Sequence, residues 1–226
     1  MNIPYQYDGI GTNPDLFINA HCDAGFCESH ADTPRLPPFI TYGTTPTSRL
    51  VGNGPDGKVS MSISATEKPL GKVFTSDYQF TIPSFQRAYT WQADNVSQLV
   101  SDLQDACANP DSPYFLGSLI LVKDGSARYQ VIDGQQRLIS LSIIISVLRE
   151  LETDPDLIGS LNELILEPGD KLRGIKAQPR LKLRERDTDF FRMYVQEGDL
   201  EGLFDLRDGD IESNAQRNIA VQTRQV

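Results

Sequence analysis

The sequence predicts a mixed α/β (α+β) fold, a small mixed sheet with helices packed against it. Short β-like runs alternate with longer segments of helical periodicity after residue 61. Hydrophobic residues make up 39% of the 226 residues, which is enough for the core of one globular domain. The chain changes character near Met61, because residues 1–60 are rich in Pro, Gly, Asn and Thr and show little apolar periodicity.

Residues 1–60 are predicted to be an irregular or disordered N-terminal extension. The run Met61-Ser62-Ile63 is typical of a bacterial protein start, which favours an extension placed upstream of the native start. Residues 61–226 then form the folded domain. Its last helix runs into the C-terminus without a stop signal, so we expect a domain that is truncated there.

The first half of the domain contains three strands and one helix. Residues 80–83 form a short strand that ends at a proline, which lacks a backbone donor. Residues 93–108 are predicted to be an amphipathic helix. Its apolar residues recur at helical spacing: Val96, Leu99, Val100, Leu103 and Cys107. Strands 115–122 and 129–132 flank the turn signal Asp124-Gly125, so a hairpin is expected.

The second half begins with a core helix at about 134–151. Its buried side carries Leu138, Leu141, Ile144, Ile145 and Leu148. Residues 180–183 alternate basic and apolar side chains as a strand does. Asp187 is expected to cap a helix. That helix presents Phe190, Phe191, Tyr194 and Val195 on one face. A last helix is predicted at about 210–222.

Composition excludes several classes of protein. A formal net charge of −10 argues against a surface that coats nucleic acid everywhere, although it allows one basic groove. Three cysteines do not indicate a disulfide framework. No run of about 18 apolar residues and no signal peptide are visible, so we expect a cytoplasmic protein without a membrane partner. The Gly-Lys-Ser/Thr loop of P-loop NTPases is missing from the sequence.

The segment Asp133-Gly134-Gln135-Gln136-Arg137 joins a predicted strand to a predicted helix. Such a junction collects free N–H groups at the helix N-terminus, which favours an anion. Gly134 allows close approach to the backbone, and Arg137 suits bidentate phosphate binding. Asp133 is a candidate for holding a divalent cation or a nucleophilic water. Gln135 and Gln136 offer amides that both donate and accept.

A purely structural alternative fits the same residues. Asp133 at the N-cap and Gln136 at N3 match a capping box. In that interpretation Gly134 only makes a tight turn and Arg137 is a solvated residue of the first turn. The spacing leaves both interpretations open.

Residues 82–91 form a second unusual segment, because Gln86 and Arg87 stand among the aromatic residues Phe85, Tyr89 and Trp91. Arginine beside aromatic planes suits a base or a phosphate. The alternative is that Phe85 and Trp91 anchor the core while Arg87 pairs with a carboxylate.

The order of these motifs along the chain resembles the GmrSD-type N-terminal domain family, the DGQQR proteins. It is carried by Ile82-Pro83-x-Phe85-Gln86-Arg87-x-Tyr89-x-Trp91, Tyr114-Phe115-Leu116-Gly117-Ser118 and Val131-Ile132-Asp133-Gly134-Gln135-Gln136-Arg137-Leu138. The resemblance covers about residues 66–217. It implies a ParB/sulfiredoxin-like core and a role in restriction systems that attack modified phage DNA. It also implies that the DGQQR element binds and hydrolyses an NTP to regulate a nuclease domain.

Carried over to this chain, the resemblance implies a nucleotide site with Asp133 and Arg137 as catalytic residues. Gln86, Arg87, Gly134, Gln135 and Gln136 would bind the nucleotide. The implied cofactors are an NTP and a divalent cation, Mg²⁺, held by Asp133. The implied partners are modified DNA and a nuclease domain, either farther along the chain or in a separate protein.

The sequence departs from the family at two points. Ile139 and Ser140 replace the two threonines that commonly follow the motif. His21 and His30 are the two histidines, and both precede Met61, so this chain is not expected to cut DNA with an HNH-type centre. Alternatives to the regulatory NTPase are a non-catalytic module that senses modified DNA and an inactive, truncated remnant.

Two further groups are weaker candidates. His21, Cys22, Cys27 and His30 could supply four zinc ligands, but their spacing matches no standard finger. Cys107 is expected to serve packing. A basic run could contact phosphates, or form a solvated strand face. It consists of Lys171, Arg173, Lys176, Arg180, Lys182, Arg184 and Arg186.

Overall fold

A computed structural model describes residues 16–22, 63–109, 114–125, 127–169, 172 and 177–226, with the backbone alone for 16–22, 63 and 64. The strands are β1 Leu16–Cys22, β2 Ile63–Pro69, β3 Gln79–Thr81, β4 Tyr114–Lys123, β5 Arg128–Asp133, β6 Leu166–Glu167, β7 Gln178–Pro179 and β8 Leu181–Lys182. The α-helices are α1 Ala93–Ala108, α2 Gln135–Leu151, α3 Pro155–Ile165, α4 Glu185–Phe191, α5 Leu200–Asp205 and α6 Asn214–Gln225. The predicted mixed α/β fold is confirmed.

The main sheet is mixed, with the strand order β2-β1-β4-β5-β3-β8. The pairs β1–β2 and β4–β5 are antiparallel, whereas β1–β4, β3–β5 and β3–β8 are parallel. The predicted hairpin is the β4–β5 pair, and Gly125 at its turn has a φ of 123°. Because β5 and β3 are parallel neighbours, the segments that follow them both leave the same edge of the sheet.

Helix α2 is the centre of the core. The apolar residues predicted on its buried side are buried, with Leu148 only partly so. Three serines of the helix are also buried. Two of them donate hydrogen bonds to backbone carbonyls, Ser142 to that of Leu138 and Ser146 to that of Val195. Burial on nearly every side explains why the helix lacks the amphipathic pattern of a surface helix.

Helix α1 has the predicted bounds, but Cys107 is exposed. The prediction that Cys107 packs in the core is wrong, because the buried position of the last turn is Ala106. The last helix starts later than predicted, at Asn214, since a 3₁₀ turn occupies Asp208–Asp210 and Ser213 provides the N-cap.

Asp187 does not cap helix α4 as predicted, because the N-cap position belongs to Arg184. The Asp187 carboxylate is buried instead, where it accepts from Arg184 at 2.7 Å and from the Ser213 hydroxyl at 2.7 Å. It thus joins α4 to the N-cap of α6. Helix α3 was not predicted, although Asp154 at its N-cap and Pro155 at its first position are a recognisable start signal.

The N-terminal segment is described only in part. Strand β1 differs from the irregular structure predicted for residues 1–60, and the rest of that range lies outside the described residues. The proposed zinc ligands also lie there: Cys27 and His30 are not described, nor are the side chains of His21 and Cys22. Within the described segments, no helix has the length and apolarity needed to cross a membrane.

Candidate functional site

The two motifs singled out in the sequence form two walls of one cavity of about 650 Å³. One wall is the junction between β5 and α2, and the other is the loop after β3. Residues from β4 complete the lining. The cavity is lined by Gln86, Arg87, Trp91, Phe115, Gly117, Ser118, Asp133, Gly134, Gln135, Gln136 and Arg137. All seven residues predicted for the site are among them.

The turn into α2 depends on a glycine. Gly134 has a φ of 89°, and a Cβ there would stand 2.8 Å from Leu119 Cδ1 and 3.0 Å from the Ser118 carbonyl. Gly134 is itself the N-cap, and no side chain caps the helix at this position. The alternative in which Asp133 and Gln136 form a capping box is therefore wrong. The first turn of α2 lines the cavity, and its N–H groups have no capping side chain.

Asp133 ends strand β5 and is exposed at the cavity wall. Within the described part of the chain it makes no ion pair and no side-chain hydrogen bond. Arg137 is half-buried, and its Nη1 lies 3.5 Å from the Ser118 carbonyl, a long contact. Neither residue is neutralised by an opposite charge among the described residues, so both remain available to a ligand.

Gly117 makes room for the Arg137 guanidinium. A Cβ on Gly117 would come within 2.6 Å of Arg137 Cζ, and the φ of Gly117 is 130°. A glycine inside a strand often marks a close approach of another group. This rule was the signal in the sequence that could have added Gly117 to the site.

Arg87 is exposed, and it has no ion pair among the described residues, so the alternative of a carboxylate partner is not found. Phe85 is 73% exposed and does not anchor the core as the alternative proposed. Trp91 is half-buried and packs partly against the core. Phe115, which the sequence did not single out for the site, is 59% exposed and lines the same cavity.

Gln136 holds the two walls together. Its Oε1 accepts from the Thr90 backbone N–H at 2.8 Å and from the Trp91 backbone N–H at 3.3 Å, while its Nε2 donates to the Ala88 carbonyl at 3.0 Å. Gln86 makes a second link, because its Nε2 donates to the Ile132 carbonyl at 2.9 Å. Both atoms of the Gln136 amide are thus engaged by the loop rather than by the cavity.

Gln135 is as buried as Gln136, but its Oε1 is enclosed without a hydrogen-bond partner among the described residues. Buried polar atoms are nearly always paired. An exception in the wall of a cavity is consistent with an acceptor that is completed by a bound molecule.

The loop is also held by residues that are not part of the cavity lining. The Tyr89 hydroxyl lies 2.7 Å from Ser140 Oγ inside the core, and burial raises the pKa of Tyr89 to about 12. Asn218 on α6 donates to the Tyr89 carbonyl at 3.1 Å, and Gln222 donates to the Trp91 carbonyl at 3.3 Å. Sequence reasoning missed these three partners, because their relation to the loop depends on the tertiary fold.

A second cavity of about 360 Å³ lies on the other side of the same loop. Arg184, Arg186 and Arg217 line it, together with Ala88, Ile211, Glu212, Ser213, Asn214 and Ala215. Arg184 is paired with Asp187 at 2.7 Å and Arg217 with Asp208 at 3.3 Å. Arg186 donates to the Glu212 backbone carbonyl.

The four described residues of the predicted basic run do not form one surface. Lys171, Arg173 and Lys176 lie outside the described residues. Arg180 is buried, pairs with Glu167 and donates to the Glu163 carbonyl at 2.6 Å, so it serves the fold. Arg184 and Arg186 reach the second cavity, whereas Lys182 is exposed on β8.

The described residues contain no group of three His, Cys, Asp or Glu side chains that could hold a metal ion unaided. Among the described residues that line the first cavity, Asp133 is the one carboxylate. A single carboxylate suits Mg²⁺ that arrives with phosphates and water, because Mg²⁺ keeps much of its hydration and needs few protein ligands.

Comparison with protein families places these motifs in a known group. Residues 70–225 match the family described as "GmrSD restriction endonuclease, N-terminal domain". The match includes both walls of the first cavity and the whole of α6. Among curated proteins, no match to the chain is found.

Proposed function

Since the chain belongs to the family of GmrSD restriction endonuclease N-terminal domains, and so to a restriction system, we propose that it is the domain that binds and hydrolyses an NTP to regulate restriction of modified DNA in the cytoplasm. The observation that carries this proposal is the charge arrangement in the first cavity. Two arginines and one carboxylate without ion-pair partners among the described residues face one space beside the uncapped start of a helix.

Arg87 and Arg137 bind the phosphates in this proposal. Both line the cavity, Arg87 from the loop after β3 and Arg137 from the first turn of α2. Guanidinium groups bind phosphate oxygens through paired hydrogen bonds, and the N–H groups of the first helical turn add donors of the same kind. Gly134 lets the phosphates approach the backbone closely, because it has no side chain there.

Asp133 is the residue that would hold Mg²⁺, which supplies charge neutralisation to the phosphates when bound. Asp133 can also orient a water toward the terminal phosphate, because its carboxylate is exposed to the cavity. Gln136 is a positioning residue: its amide fixes the loop that carries Arg87. Trp91 and Phe115 offer aromatic faces on which a base can stack.

The nuclease step is assigned to another domain. Both histidines of the chain precede Met61, so the domain matched by the family has none for an HNH-type centre. The domain is proposed to control a nuclease that lies farther along the chain or in a partner protein.

Release of phosphate from each of the four NTPs in the presence of Mg²⁺ tests the proposal. Arg137→Ala is expected to slow release about 100-fold, because removing one preorganised donor to a developing charge typically has an effect of this size. Asp133→Ala is expected to slow it as well. Arg128→Ala, an exposed arginine at the far end of the hairpin, is the control and should leave release unchanged.

A second candidate function is binding of the DNA backbone without hydrolysis, and Arg186, which lines the second cavity without an ion-pair partner among the described residues, favours it. In this case Arg186→Ala should weaken binding of a duplex and reduce the dependence of the affinity on salt, since each lost phosphate contact lowers that dependence. Nucleotide hydrolysis lost in Asp133→Ala with unchanged DNA binding would favour the NTPase. A protein that neither releases phosphate nor binds DNA would be an inactive remnant.

A further inference from the structure

We propose that the side-chain carbonyl of Gln135 is a base-recognition acceptor, which takes an N–H of the nucleobase and thereby selects among nucleotides. This inference rests on the proposed nucleotide site and goes further by assigning the residue that reads the base. The observation behind it is a difference between two neighbouring glutamines.

Gln135 and Gln136 have the same residue type and the same exposure of 5%. The Gln136 amide is satisfied on both sides by the backbone of Ala88, Thr90 and Trp91. The Gln135 Oε1 is buried and has no partner among the described residues. The Gln135 carbonyl thus lacks a hydrogen bond, whereas the oxygen and the nitrogen of the adjacent Gln136 amide are both bonded.

The missing partner must be a donor, because a carbonyl oxygen only accepts. The phosphates of an NTP are acceptors at neutral pH, and both Arg87 and Arg137 are already suited to them. Trp91 and Phe115 line the same cavity and provide flat apolar faces for a base. A base that stacks there lies in the same cavity as Gln135, and a rotation of the Gln135 side chain would bring its buried Oε1 to an N–H of the base.

An acceptor in a fixed place discriminates between bases because each base carries its N–H groups at different positions. Sites built to hydrogen-bond a substrate group reject analogues that lack it, since the buried polar atom is then left unpaired. The free protein carries this unpaired atom too. Removal of the Gln135 carbonyl should therefore stabilise the free protein and lower its affinity for the preferred nucleotide.

The test compares Gln135→Met with the matched control Gln136→Met in the full chain. Gln135→Met is expected to raise the thermal midpoint by about 2–4 °C. Gln136→Met is expected to lower it by a similar amount or more, because it strands three backbone groups of the loop. Calorimetric titration with ATP, GTP, CTP and UTP, each with Mg²⁺, measures the affinities.

Wild-type protein should bind at least one of the four nucleotides more tightly than the others. Gln135→Met should weaken the binding of that nucleotide roughly 5- to 30-fold, while the affinities for the other nucleotides change little. A thermal midpoint that falls in Gln135→Met would overturn the inference, since the carbonyl would then be paired in the free protein. Equal affinities of Gln135→Met and wild type would overturn it as well.

Two further results separate the alternatives. A Gln135→Met effect that vanishes with the 2′-deoxynucleotide would assign the donor to the sugar hydroxyl and overturn the base assignment. Failure of wild-type protein to bind any of the four nucleotides would overturn the proposed function and the base assignment together. Binding that is unaffected by Gln135→Met overturns the base assignment alone.

Discussion

The Arg137 guanidinium packs closely against the backbone of Gly117, and this contact requires a glycine. The guanidinium of Arg137 occupies the volume that a side chain on Gly117 would fill, and the backbone of Gly117 is in a conformation that suits glycine. The position of the Arg137 guanidinium is therefore set by Gly117 as much as by its own helix.

Gly117→Ala is expected to displace the Arg137 guanidinium, because the new Cβ would lie 2.6 Å from it. The change should lower nucleotide affinity about 10-fold and stability by about 1 kcal/mol, the strain of a non-glycine residue at positive φ. Titration with the preferred nucleotide and urea unfolding measure the two effects. Gly71→Ala, where no atom lies within 4 Å of the added Cβ, is the control and should change neither. An unaltered affinity in Gly117→Ala would contradict the assignment of Arg137 to the phosphates.

At the scale of elements, helix α2 serves the site with its first turn and the core with its last. Arg149 near the C-terminal end is buried, and it donates to Asn162 Oδ1 at 2.9 Å and to the Gln196 carbonyl at 2.8 Å. Its other nitrogen donates to the Val195 carbonyl at 3.2 Å. These carbonyls belong to the last residues of a π-helical turn, Arg192–Gln196, and carbonyls at the end of a helix lack donors within the helix. Burial lowers the pKa of Arg149, and no carboxylate accepts its hydrogen bonds among the described residues.

Arg149→Leu should reduce the free energy of unfolding by about 2–3 kcal/mol, since it removes the donor to the buried Gln196 carbonyl and to Asn162 Oδ1. Denaturation in urea gives the value. Arg192→Leu on the same turn is the control: its ion pairs with Glu197 and Asp189 are at the surface and contribute little. Equal effects of the two substitutions would show that Arg149 does not support the π-helical turn.

The sequence predicted those elements whose signal is local. Helix α1 has a clear apolar period, and its predicted bounds agree with the observed ones. The β4–β5 hairpin was predicted from one turn signal. The burial of Asp187 and the roles of Asn218 and Gln222 depend on residues far along the chain. They could not be predicted, because neither spacing nor propensity contains distant contacts.

For the site as well, the sequence predicted which residues belong to it but not the contacts between them. Its seven residues were predicted from two motifs, and the structure places all of them around one cavity. The roles of the two adjacent glutamines differ only through their hydrogen bonds, which the sequence does not reveal. Gly117 and Phe115 line the cavity because they lie on β4, the strand that pairs with β5.

At the scale of the whole molecule, α6 belongs to the core and to the site. Ala215, Ile219 and Ala220 are buried on one face, while Asn218 and Gln222 bond to the loop after β3. The helix therefore supports the wall that carries Arg87 from behind.

Removal of residues 214–226 is expected to abolish cooperative unfolding, because it exposes the core face that α6 covers. Circular dichroism during heating detects the loss. Asn218→Ala separates the two roles: it should keep the fold and lower nucleotide affinity several-fold, since it removes one hydrogen bond to the loop. A truncated protein that still melts cooperatively and binds nucleotide would exclude α6 from both roles.

The bonds that hold the loop join residues far apart along the chain: Thr90 and Gln136 are 46 positions apart, and Tyr89 and Asn218 are 129. Closing such long stretches of chain is entropically slow, so structures rich in distant contacts form late in folding. The bonds from α6 to the loop can form only after residues near the end of the domain have been synthesised and docked. During synthesis on the ribosome, a loop held by both Gln136 and α6 would mark a chain that has completed its folding.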